Sequence, residues 1–324
     1  MIKRIGVLTS GGDSSGMNAA IRGVVRGAIY NGLKVFGIYQ GFEGLIKGDV
    51  RELSSRDVGG IINHGGTILF TARSKLFLTK EGRKKAFENY RKHNLDALIV
   101  IGGNGSLRGL REFMDETGII GIGLPGTIDN DLFGTDYTIG FDTAINVAVE
   151  AIDKIRDTAT SHERLFLVEV MGRKAGFIAI FSALAGGAED ILIPETTTDI
   201  KKLCDKLEQG KLKGKKSSIV VVAEGETVGN VVTIAKEIKK NTDWDVRVSI
   251  LGHMQRGGIP TAMERINASR LGVAAVEALL DGKKGVMVGI VNDIISFTSL
   301  TDAVTKVKPL NSHYLKVAEI LASV

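Results

Sequence analysis

Short apolar runs in this sequence end in glycine-rich loops whose residue types could bind phosphate groups. One run ends in Gly11-Gly12-Asp13, and another ends in Gly102-Gly103-Asn104-Gly105-Ser106. Glycines between a strand and the start of a helix leave backbone N–H groups free to face a phosphate. Neither loop is the GxGxxG fingerprint of a dinucleotide site or a Walker loop, which needs Gly-Lys-Ser/Thr. A single loop of this kind is as often a turn that binds no ligand as it is a phosphate-binding loop. Two such loops on one sheet favour a nucleotide-phosphate site.

A further apolar run ends in Thr127-Ile128-Asp129-Asn130-Asp131, which places two carboxylates close together in a loop. Carboxylates are ligands that Mg²⁺ prefers, and one of them can also accept a proton from a substrate. A solvated acidic turn is the alternative interpretation of these residues. Their position at the end of an apolar strand favours a role in chemistry.

Arginines in other loops could clamp a phosphorylated substrate, because the planar guanidinium group matches phosphate oxygens. They are Arg73, Arg164, Arg173, Arg247 and Arg256. Any one of them alone is more often a surface salt-bridge partner. His253 lies among glycines and close to Arg256, and we interpret it as a further phosphate ligand.

The elements that position these loops are short Val/Ile/Leu-rich runs, which alternate with longer helical patterns. Such runs predict parallel strands buried on both faces. The predicted strands are Ile5–Thr9, Lys34–Tyr39, Ala97–Ile101, Ile119–Leu124, Leu165–Val170, Ile191–Ile193, Ser218–Ala223, Val246–Leu251 and Val286–Val291. The alternation predicts an α/β fold of two Rossmann-like three-layer α/β/α lobes with mostly parallel sheets. Ligands of such sheets bind beyond the carboxyl ends of the strands.

Length and composition exclude other classes of protein. The chain has 324 residues, 44% hydrophobic and 24% charged, which argues against disorder and fibrous structure. The net charge of +5 includes no basic run and aromatic residues make up 6%, so nucleic-acid binding is not expected. The single cysteine, Cys204, indicates a reduced, cytoplasmic protein. Neither a signal peptide nor a membrane span is expected.

The motifs resemble those of ATP-dependent 6-phosphofructokinases of the bacterial type, in order and at the family's spacing. They are Gly11-Gly12-Asp13, Gly102–Ser106, Pro125–Asp131, Met171-Gly172-Arg173 and His253–Gly258. The resemblance implies transfer of the ATP γ-phosphoryl group to the 1-hydroxyl of fructose 6-phosphate in glycolysis, with Mg²⁺ as cofactor. It also implies an assembly that is usually a homotetramer. Residues 1–138 with 252–303 would form a larger ATP-binding lobe, and residues 139–251 with 304–324 a smaller fructose 6-phosphate-binding lobe.

The resemblance also assigns roles to residues. Asp129 would accept the hydroxyl proton, while Thr127, Arg73 and Arg173 would steady the transferring phosphoryl group. Positions that match the ATP site are Gly12, Arg73, Ser74, Gly103, Asn104, Gly105 and Ser106. Positions that match the sugar site are Thr127, Ile128, Asp129, Arg164, Met171, Gly172, Arg173, Glu224, Arg247, His253 and Arg256. Of these, Arg164, Arg247, His253 and Arg256 would hold the 6-phosphate, some from a neighbouring subunit, and Asp131 and Asn104 would lie near Mg²⁺.

Two small residues indicate the phosphoryl donor. Pyrophosphate-dependent relatives tend to carry aspartate where Gly105 stands and lysine where Gly126 stands. Those side chains occupy the space that the α-phosphate and nucleoside need. Because both positions are glycine here, we expect the site to admit ATP.

The chain departs from the family pattern at two positions near the expected site. Asn104 replaces an aspartate that helps to hold Mg²⁺, so metal affinity and rate are expected to fall. Phe70 stands where glycine is common, and its ring would either narrow the approach to Arg73 or fill a local gap. These departures leave a second function open, a catalytically weakened regulatory paralogue that binds sugar phosphate or nucleotide. A changed sugar-phosphate acceptor is a third.

An effector site is also implied by the resemblance, binding ADP or phosphoenolpyruvate across a subunit interface. The matching residues are Arg22, Arg26, Arg156, Gly187, Glu189, Lys213, Lys215 and Lys216. Ser55 stands in place of a usual arginine and Ser217 in place of a histidine. A weakened or altered effector response is therefore expected.

Overall fold

The computed structural model describes residues 2–322. The chain forms two compact units. The first unit comprises residues 1–128, 132–143 and 256–308, and the second comprises residues 129–131, 144–255 and 309–324. The segment 129–131 therefore groups with the second unit, whereas the boundaries expected from the sequence put it in the first. Within the described residues, no helix is long and apolar enough to cross a membrane.

Strands and helices alternate along the described chain. The strands are β1 (Arg4–Ser10), β2 (Lys34–Ile38), β3 (Val50–Leu53), β4 (Ala97–Gly102), β5 (Ile120–Pro125), β6 (Arg164–Val170), β7 (Asp190–Leu192), β8 (Ser218–Ala223), β9 (Asp245–Ile250), β10 (Val286–Val291) and β11 (Ile294–Ser299). The helices are α1 (Met17–Tyr30), α2 (Gly41–Lys47), α3 (Lys80–Lys92), α4 (Asn104–Thr117), α5 (Phe141–His162), α6 (Phe177–Gly186), α7 (Ile200–Leu212), α8 (Val231–Asn241), α9 (Ala262–Leu280), α10 (Leu300–Thr305) and α11 (Ser312–Ala322).

The first unit contains a seven-stranded sheet in the order β11-β10-β5-β4-β1-β2-β3. Strands β5, β4, β1 and β2 are parallel neighbours, so their carboxyl ends lie at one edge of the sheet. The register aligns Ser10 with Gly102 and Gly102 with Pro125, which places the loops after β1, β4 and β5 side by side. The expectation that both glycine-rich loops share one sheet is thus met by the strand order.

Apolar side chains cover both faces of this sheet, because successive residues of a strand point in opposite directions. Val7 and Ile99 belong to the core beneath α1 and α9, whereas Leu8 and Leu98 belong to the core on the opposite face. Helices α1 and α9 pack so closely that a Cβ on Gly272 would lie 2.4 Å from the carbonyl oxygen of Ala20. Glycine at this position lets the two backbones touch.

The second unit contains a four-stranded parallel sheet in the order β7-β8-β6-β9. Its core joins strand residues such as Leu167 and Val220 to Leu203 and Cys204 of α7 and Ile234 of α8. Burial raises the pKa of the Cys204 thiol, as expected for an inert core cysteine. The predicted fold class, two lobes with mostly parallel sheets, is confirmed.

Two strands were not predicted from the sequence, β3 and β11. Both pair antiparallel to an edge of the seven-stranded sheet. Most of their side chains are at least partly exposed, so neither has the continuous apolar run of a central strand. The turn before β11 holds Asn292 and Asp293 at positive φ, as a tight hairpin between β10 and β11 requires.

Candidate active site

The loop after β1 follows a path that needs glycine. Gly11 and Gly16 adopt φ of 91° and 100°, the left-handed region that glycine enters without steric cost. The hydroxyl of Thr71 donates a hydrogen bond to the carbonyl of Gly11, and Arg256 donates to the carbonyl of Asp13. These contacts hold the loop in an open turn directly before the N-terminus of α1.

The loop after β4 is equally constrained. A Cβ on Gly102 would lie 2.6 Å from both the Ser10 carbonyl oxygen and the Ser106 Cβ, so no side chain fits there. Helix α4 begins at Asn104, and the dipole of the helix gives its first turn a partial positive charge. A Cβ on Gly105 would meet nothing within 4 Å. The first turn of α4 thus borders open space, where an anion could lie.

Thr127 lies beside the second loop, since a Cβ on Gly103 would stand 3.4 Å from the Thr127 Cβ. Its side chain is buried, and its carbonyl accepts a hydrogen bond from the Thr138 hydroxyl. The first unit therefore gathers Gly12, the residues of the α4 N-terminus and Thr127 at one edge of its sheet. Gly12 and the α4 residues are among those that the resemblance assigned to ATP, whereas it assigned Thr127 to the transferring phosphoryl group and the sugar.

The segment with Arg73 and Ser74 belongs to the same unit. Ser74 donates a hydrogen bond to Glu43 at 2.6 Å, and this bond together with Lys47 lowers the pKa of the Glu43 carboxyl group. Arg73 is exposed. Phe70 adopts φ 55° and is 62% exposed, although the left-handed region disfavours a bulky residue. This exposure favours the first of the two alternatives, in which the ring narrows the approach to Arg73.

Asp129 is a buried carboxylate of the second unit, with 2% of the residue exposed. The Arg173 Nε lies 3.9 Å from its Oδ2. Arg173 itself is exposed and adopts φ 55°, next to Gly172 at φ 144°. A buried carboxylate facing a solvent-exposed guanidinium can receive a proton while the guanidinium attracts a phosphoryl group.

The turn of Met171, Gly172 and Arg173 is held by two side chains. Glu224 accepts the backbone N–H groups of Gly172 and Arg173, and Gln255 accepts that of Met171 at 2.8 Å. Gln255 is fully buried. The sequence placed Glu224 at the sugar but gave Gln255 no role, although it lies inside the motif 253–258. Its glutamine oxygen fixes the turn that carries Arg173.

Two of the arginines assigned to the 6-phosphate converge in the second unit. Arg164 and Arg247 both donate hydrogen bonds to Oδ2 of Asp245, at 2.9 and 3.0 Å. His253 is exposed and lies in the short 3-10 helix Gly252–Arg256. Arg256 belongs to the first unit, where a Cβ on Gly12 would stand 2.5 Å from its guanidinium. Arg256 therefore lies at the loop assigned to ATP.

The sequence of this chain is similar to those of known proteins. The phosphofructokinase family model matches residues 4–279. The "ATP-dependent 6-phosphofructokinase 1" of Thermus thermophilus is 54% identical over 99% of this chain and 100% of its own length. The chain belongs to the phosphofructokinase family. The family predicted from the sequence is confirmed.

Solved phosphofructokinase structures share this fold. The phosphofructokinase of Saccharomyces cerevisiae superposes with a TM-score of 0.87 and 37% identity, covering 98% of this chain and 46% of the yeast chain. The pyrophosphate-dependent phosphofructokinase of Marinobacter aquaeolei superposes with a TM-score of 0.86 at 25% identity, covering 98% and 88%. The fold is therefore shared by phosphofructokinases of both donor types, and the donor must be argued from the residues of the site.

A metal site of the kind that phosphoryl transfer needs fits the donor set. Mg²⁺ prefers oxygen ligands and keeps several from water and phosphate. Asn104 offers an amide oxygen and Asp131 a carboxylate, which are both oxygen donors of the kind that Mg²⁺ prefers. Among residues 2–322, no group of three or more His, Cys, Asp or Glu side chains could hold a metal ion.

The family's expected effector residues fall into both units. Arg22 and Arg26 lie on α1 of the first unit. In the second unit, Arg156 donates to the carbonyls of Gly186 and Gly187, and Glu189 receives Lys215 at 3.1 Å. Lys216 instead pairs with Glu163. Glu189, Lys213 and Lys215 line a cavity of about 820 Å³ between α7 and α11.

A buried carboxylate beside the first loop was missed by sequence reasoning. Glu264 is 3% exposed and accepts the backbone N–H of Gly140 at 2.8 Å, while a Cβ on Gly16 would stand 2.7 Å from its Oε1. Burial is the main cause that raises its pKa to about 8. The signal was present as Thr261-x-x-Glu264, a helix capping pattern, but that pattern predicts a surface cap.

Proposed function

We propose that this chain transfers the γ-phosphoryl group of ATP to the 1-hydroxyl of fructose 6-phosphate, giving fructose 1,6-bisphosphate and ADP. The observation that carries the proposal is the buried carboxylate of Asp129 beside the exposed guanidinium of Arg173. The name of the Thermus relative, similar along its whole length, supports the same donor and acceptor. A lone buried cysteine is consistent with a cytoplasmic enzyme.

In this reaction Asp129 accepts the proton of the 1-hydroxyl as that oxygen forms a bond to the γ-phosphorus. The bond between the γ-phosphorus and the β–γ bridging oxygen breaks, and ADP leaves with the electron pair. Catalysis of this kind depends on positioning and on neutralising charge rather than on covalent intermediates. Arg173, Arg73 and Thr127 supply the charge and the hydrogen bonds toward the transferring group. Mg²⁺, held by Asp131 and Asn104, would shield the charge of the nucleotide phosphates.

Fructose 6-phosphate is recognised in this proposal by its phosphate and by its sugar hydroxyls. Arg164, Arg247 and His253 bind the 6-phosphate, and the turn of Met171 and Gly172 with Glu224 contacts the sugar. Because Arg256 lies at the loop assigned to ATP, its contact with the 6-phosphate is the least supported of these roles. We further propose a homotetramer in which some of the phosphate ligands come from a neighbouring subunit. Its effector site would bind ADP or phosphoenolpyruvate weakly.

ATP is the preferred donor because the first turn of α4 borders open space. No atom lies within 4 Å of a Cβ built on Gly105, so the α-phosphate and nucleoside have room there. Gly126 is different, because a Cβ there would lie 3.0 Å from Gly102, Ile101 and Met17. Local packing thus already favours glycine at 126, and the argument for ATP rests on Gly105.

Asn104 favours a second function, a regulatory paralogue with weakened catalysis. Replacing Asn104 by aspartate distinguishes the two. In the proposed enzyme, Asn104→Asp changes kcat by less than about tenfold, because phosphate oxygens and water supply most Mg²⁺ ligands. A gain of several orders of magnitude would mark the natural chain as the weakened paralogue.

The proposal is tested by identifying the product. The purified chain is incubated with fructose 6-phosphate, Mg²⁺ and ATP, and the mixture is followed by ³¹P NMR. The expected result is a new phosphomonoester signal of fructose 1,6-bisphosphate with stoichiometric ADP. Fructose 1-phosphate, which lacks the free acceptor hydroxyl, serves as the control and should give no product. Hydrolysis of ATP without a sugar bisphosphate, or phosphorylation at another hydroxyl, would refute the proposal.

A further inference from the structure

The arginines Arg164 and Arg247 share a carboxylate that sequence reasoning assigned no role, that of Asp245. Strands β6 and β9 are parallel, and their register places Arg164 directly opposite Asp245. Arg247 follows two residues later on β9 and therefore points to the same side as Asp245. Both guanidinium groups donate to one oxygen, Oδ2, at 2.9 and 3.0 Å.

A carboxylate and a phosphate compete for the same donors on arginine. The carboxylate is planar and the phosphate is tetrahedral, but both are oxyanions that accept charge-assisted hydrogen bonds from the guanidinium group. In this structure the Arg164 Nε and one terminal nitrogen of Arg247 are already committed to Asp245. The hydrogen bonds from Arg164 and Arg247 lower the pKa of the Asp245 carboxyl group below its ordinary value.

The contact is weak enough for a substrate to displace it. The Asp245 side chain is 44% exposed and that of Arg247 is 50% exposed, at the edge strand of the four-stranded sheet. Exposed ion pairs of this kind contribute little to stability, because water screens the charges. A phosphate dianion carries more charge than the carboxylate and can bind both guanidinium groups at once.

We propose that Asp245 is a built-in competitor of the sugar phosphate, which occupies the Arg164–Arg247 pair in the free protein and weakens binding of the 6-phosphate. The inference rests on the proposed function for the identity of the substrate. Its prediction that Asp245 weakens binding applies to any phosphate monoanion or dianion. The carboxylate weakens binding in two ways. It must give up two hydrogen bonds, and its charge repels the incoming phosphate.

The experiment compares Asp245→Asn with the wild-type chain, and isothermal titration calorimetry with inorganic phosphate gives the dissociation constant of each. The variant is expected to bind inorganic phosphate about three- to tenfold more tightly, in keeping with the loss of one or two exposed ion pairs. In the kinase assay, KM for fructose 6-phosphate should fall by the same factor, with kcat and KM for ATP unchanged.

Asp243→Asn is the matched control. It makes the same change of charge two residues earlier, and among the described residues the Asp243 carboxylate forms no salt bridge with either arginine. Its affinity for phosphate should change by less than about twofold. Weaker phosphate binding by Asp245→Asn would overturn the inference, because it would show that Asp245 orients the guanidinium groups for the ligand. Equal effects of the two variants would also overturn it, since they would reduce the effect to net charge.

Failure of the proposed function gives a different pattern. A chain that binds phosphate more tightly after Asp245→Asn but shows no kinase activity in either form would support the inference and refute the activity. An active enzyme whose KM for fructose 6-phosphate rises in the variant would support the activity and refute the inference.

Discussion

The residues assigned to ATP in the first unit differ in kind from those assigned to the sugar phosphate in the second unit. In the first unit, the parts assigned to ATP are mainly backbone: glycine turns and the N-terminus of α4, which follow strands in register on one sheet. In the second unit, the parts assigned to the sugar phosphate are mainly long side chains, such as Arg164, Arg173 and Arg247, and these are partly or largely exposed.

This difference separates the consequences of substitution. Glycines of the first unit that lie against backbone and side chains, as Gly102 does, cannot be changed without disturbing the packing around them. A site built from exposed arginines can lose a side chain with little effect on folding, since exposed ion pairs contribute little. Substitutions at the packed glycines should therefore reduce stability, and those at the exposed arginines should alter KM or kcat.

The largest effect is expected at Asp129, the buried exception in the second unit. Asp129→Asn removes the proton acceptor and preserves the shape of the side chain. We expect kcat to fall by about 10²–10⁴, the usual contribution of a general base, with KM for both substrates within a few-fold. A coupled assay under saturating substrates measures the loss, and unchanged thermal unfolding shows that the variant is folded. A variant with more than half of the natural kcat would exclude Asp129 as the base.

Two glycines near the end of β4, Gly102 and Gly105, should respond differently to substitution by alanine. Gly102→Ala should destabilise the protein by about 1–3 kcal/mol, because its Cβ would overlap the Ser10 carbonyl and Ser106. Gly105→Ala should change the free energy of unfolding by less than about 0.5 kcal/mol, because its Cβ enters open space, but should raise KM for ATP. Urea unfolding and steady-state kinetics of both variants measure the contrast. Equal stability of the two would contradict the packing constraint at Gly102.

The burial of Glu264 in the first unit should make the free energy of unfolding depend on pH. Its pKa is raised from the ordinary value of 4.5 to about 8, so the native state binds the proton more tightly than the unfolded state does. The resulting stabilisation is complete below about pH 4.5 and is lost as the pH rises to about 8. The wild type should lose at least about 1 kcal/mol of unfolding free energy relative to Glu264→Gln between pH 5 and 8.

Glu264→Gln is itself the control, since other titrating groups are common to both proteins and the amide oxygen can still accept the N–H of Gly140. Chemical unfolding at a series of pH values gives the difference. A difference that does not vary between pH 5 and 8 would show that Glu264 titrates at its ordinary pKa.

Phe70 gives the smallest expected effect. Its positive φ disfavours every residue with a side chain, so Phe70→Gly should be more stable than Phe70→Ala by about 1 kcal/mol. Both variants lack the ring, and their comparison therefore isolates the backbone strain. Urea midpoints measure it. An alanine variant as stable as the glycine variant would show that the loop relaxes to another conformation.

The parts that the sequence predicts best are those with strong local patterns. The apolar runs of β1, β4 and β5 and the glycines that follow them predict where the loops lie, because a buried parallel strand leaves a clear signature. Strands β3 and β11 lack it, since their side chains are largely exposed at the sheet edge.

Contacts between distant segments could not be predicted from local patterns. Asp245 is one acidic residue among many until the register of β6 and β9 places it opposite Arg164. Glu264 has the pattern of a surface cap, and only the packing of Gly16 and Gly140 against it shows that it is buried. The location of Arg256 beside Gly12 likewise depends on where the chain returns to the first unit.

The most direct test of the account is a steady-state assay of the purified chain with fructose 6-phosphate and Mg²⁺, supplied in parallel with ATP or pyrophosphate. The account predicts turnover above about 1 s⁻¹ with ATP, within the usual range for kinases, and none above background with pyrophosphate. No turnover with either donor, from a chain that still binds fructose 6-phosphate, would contradict the account.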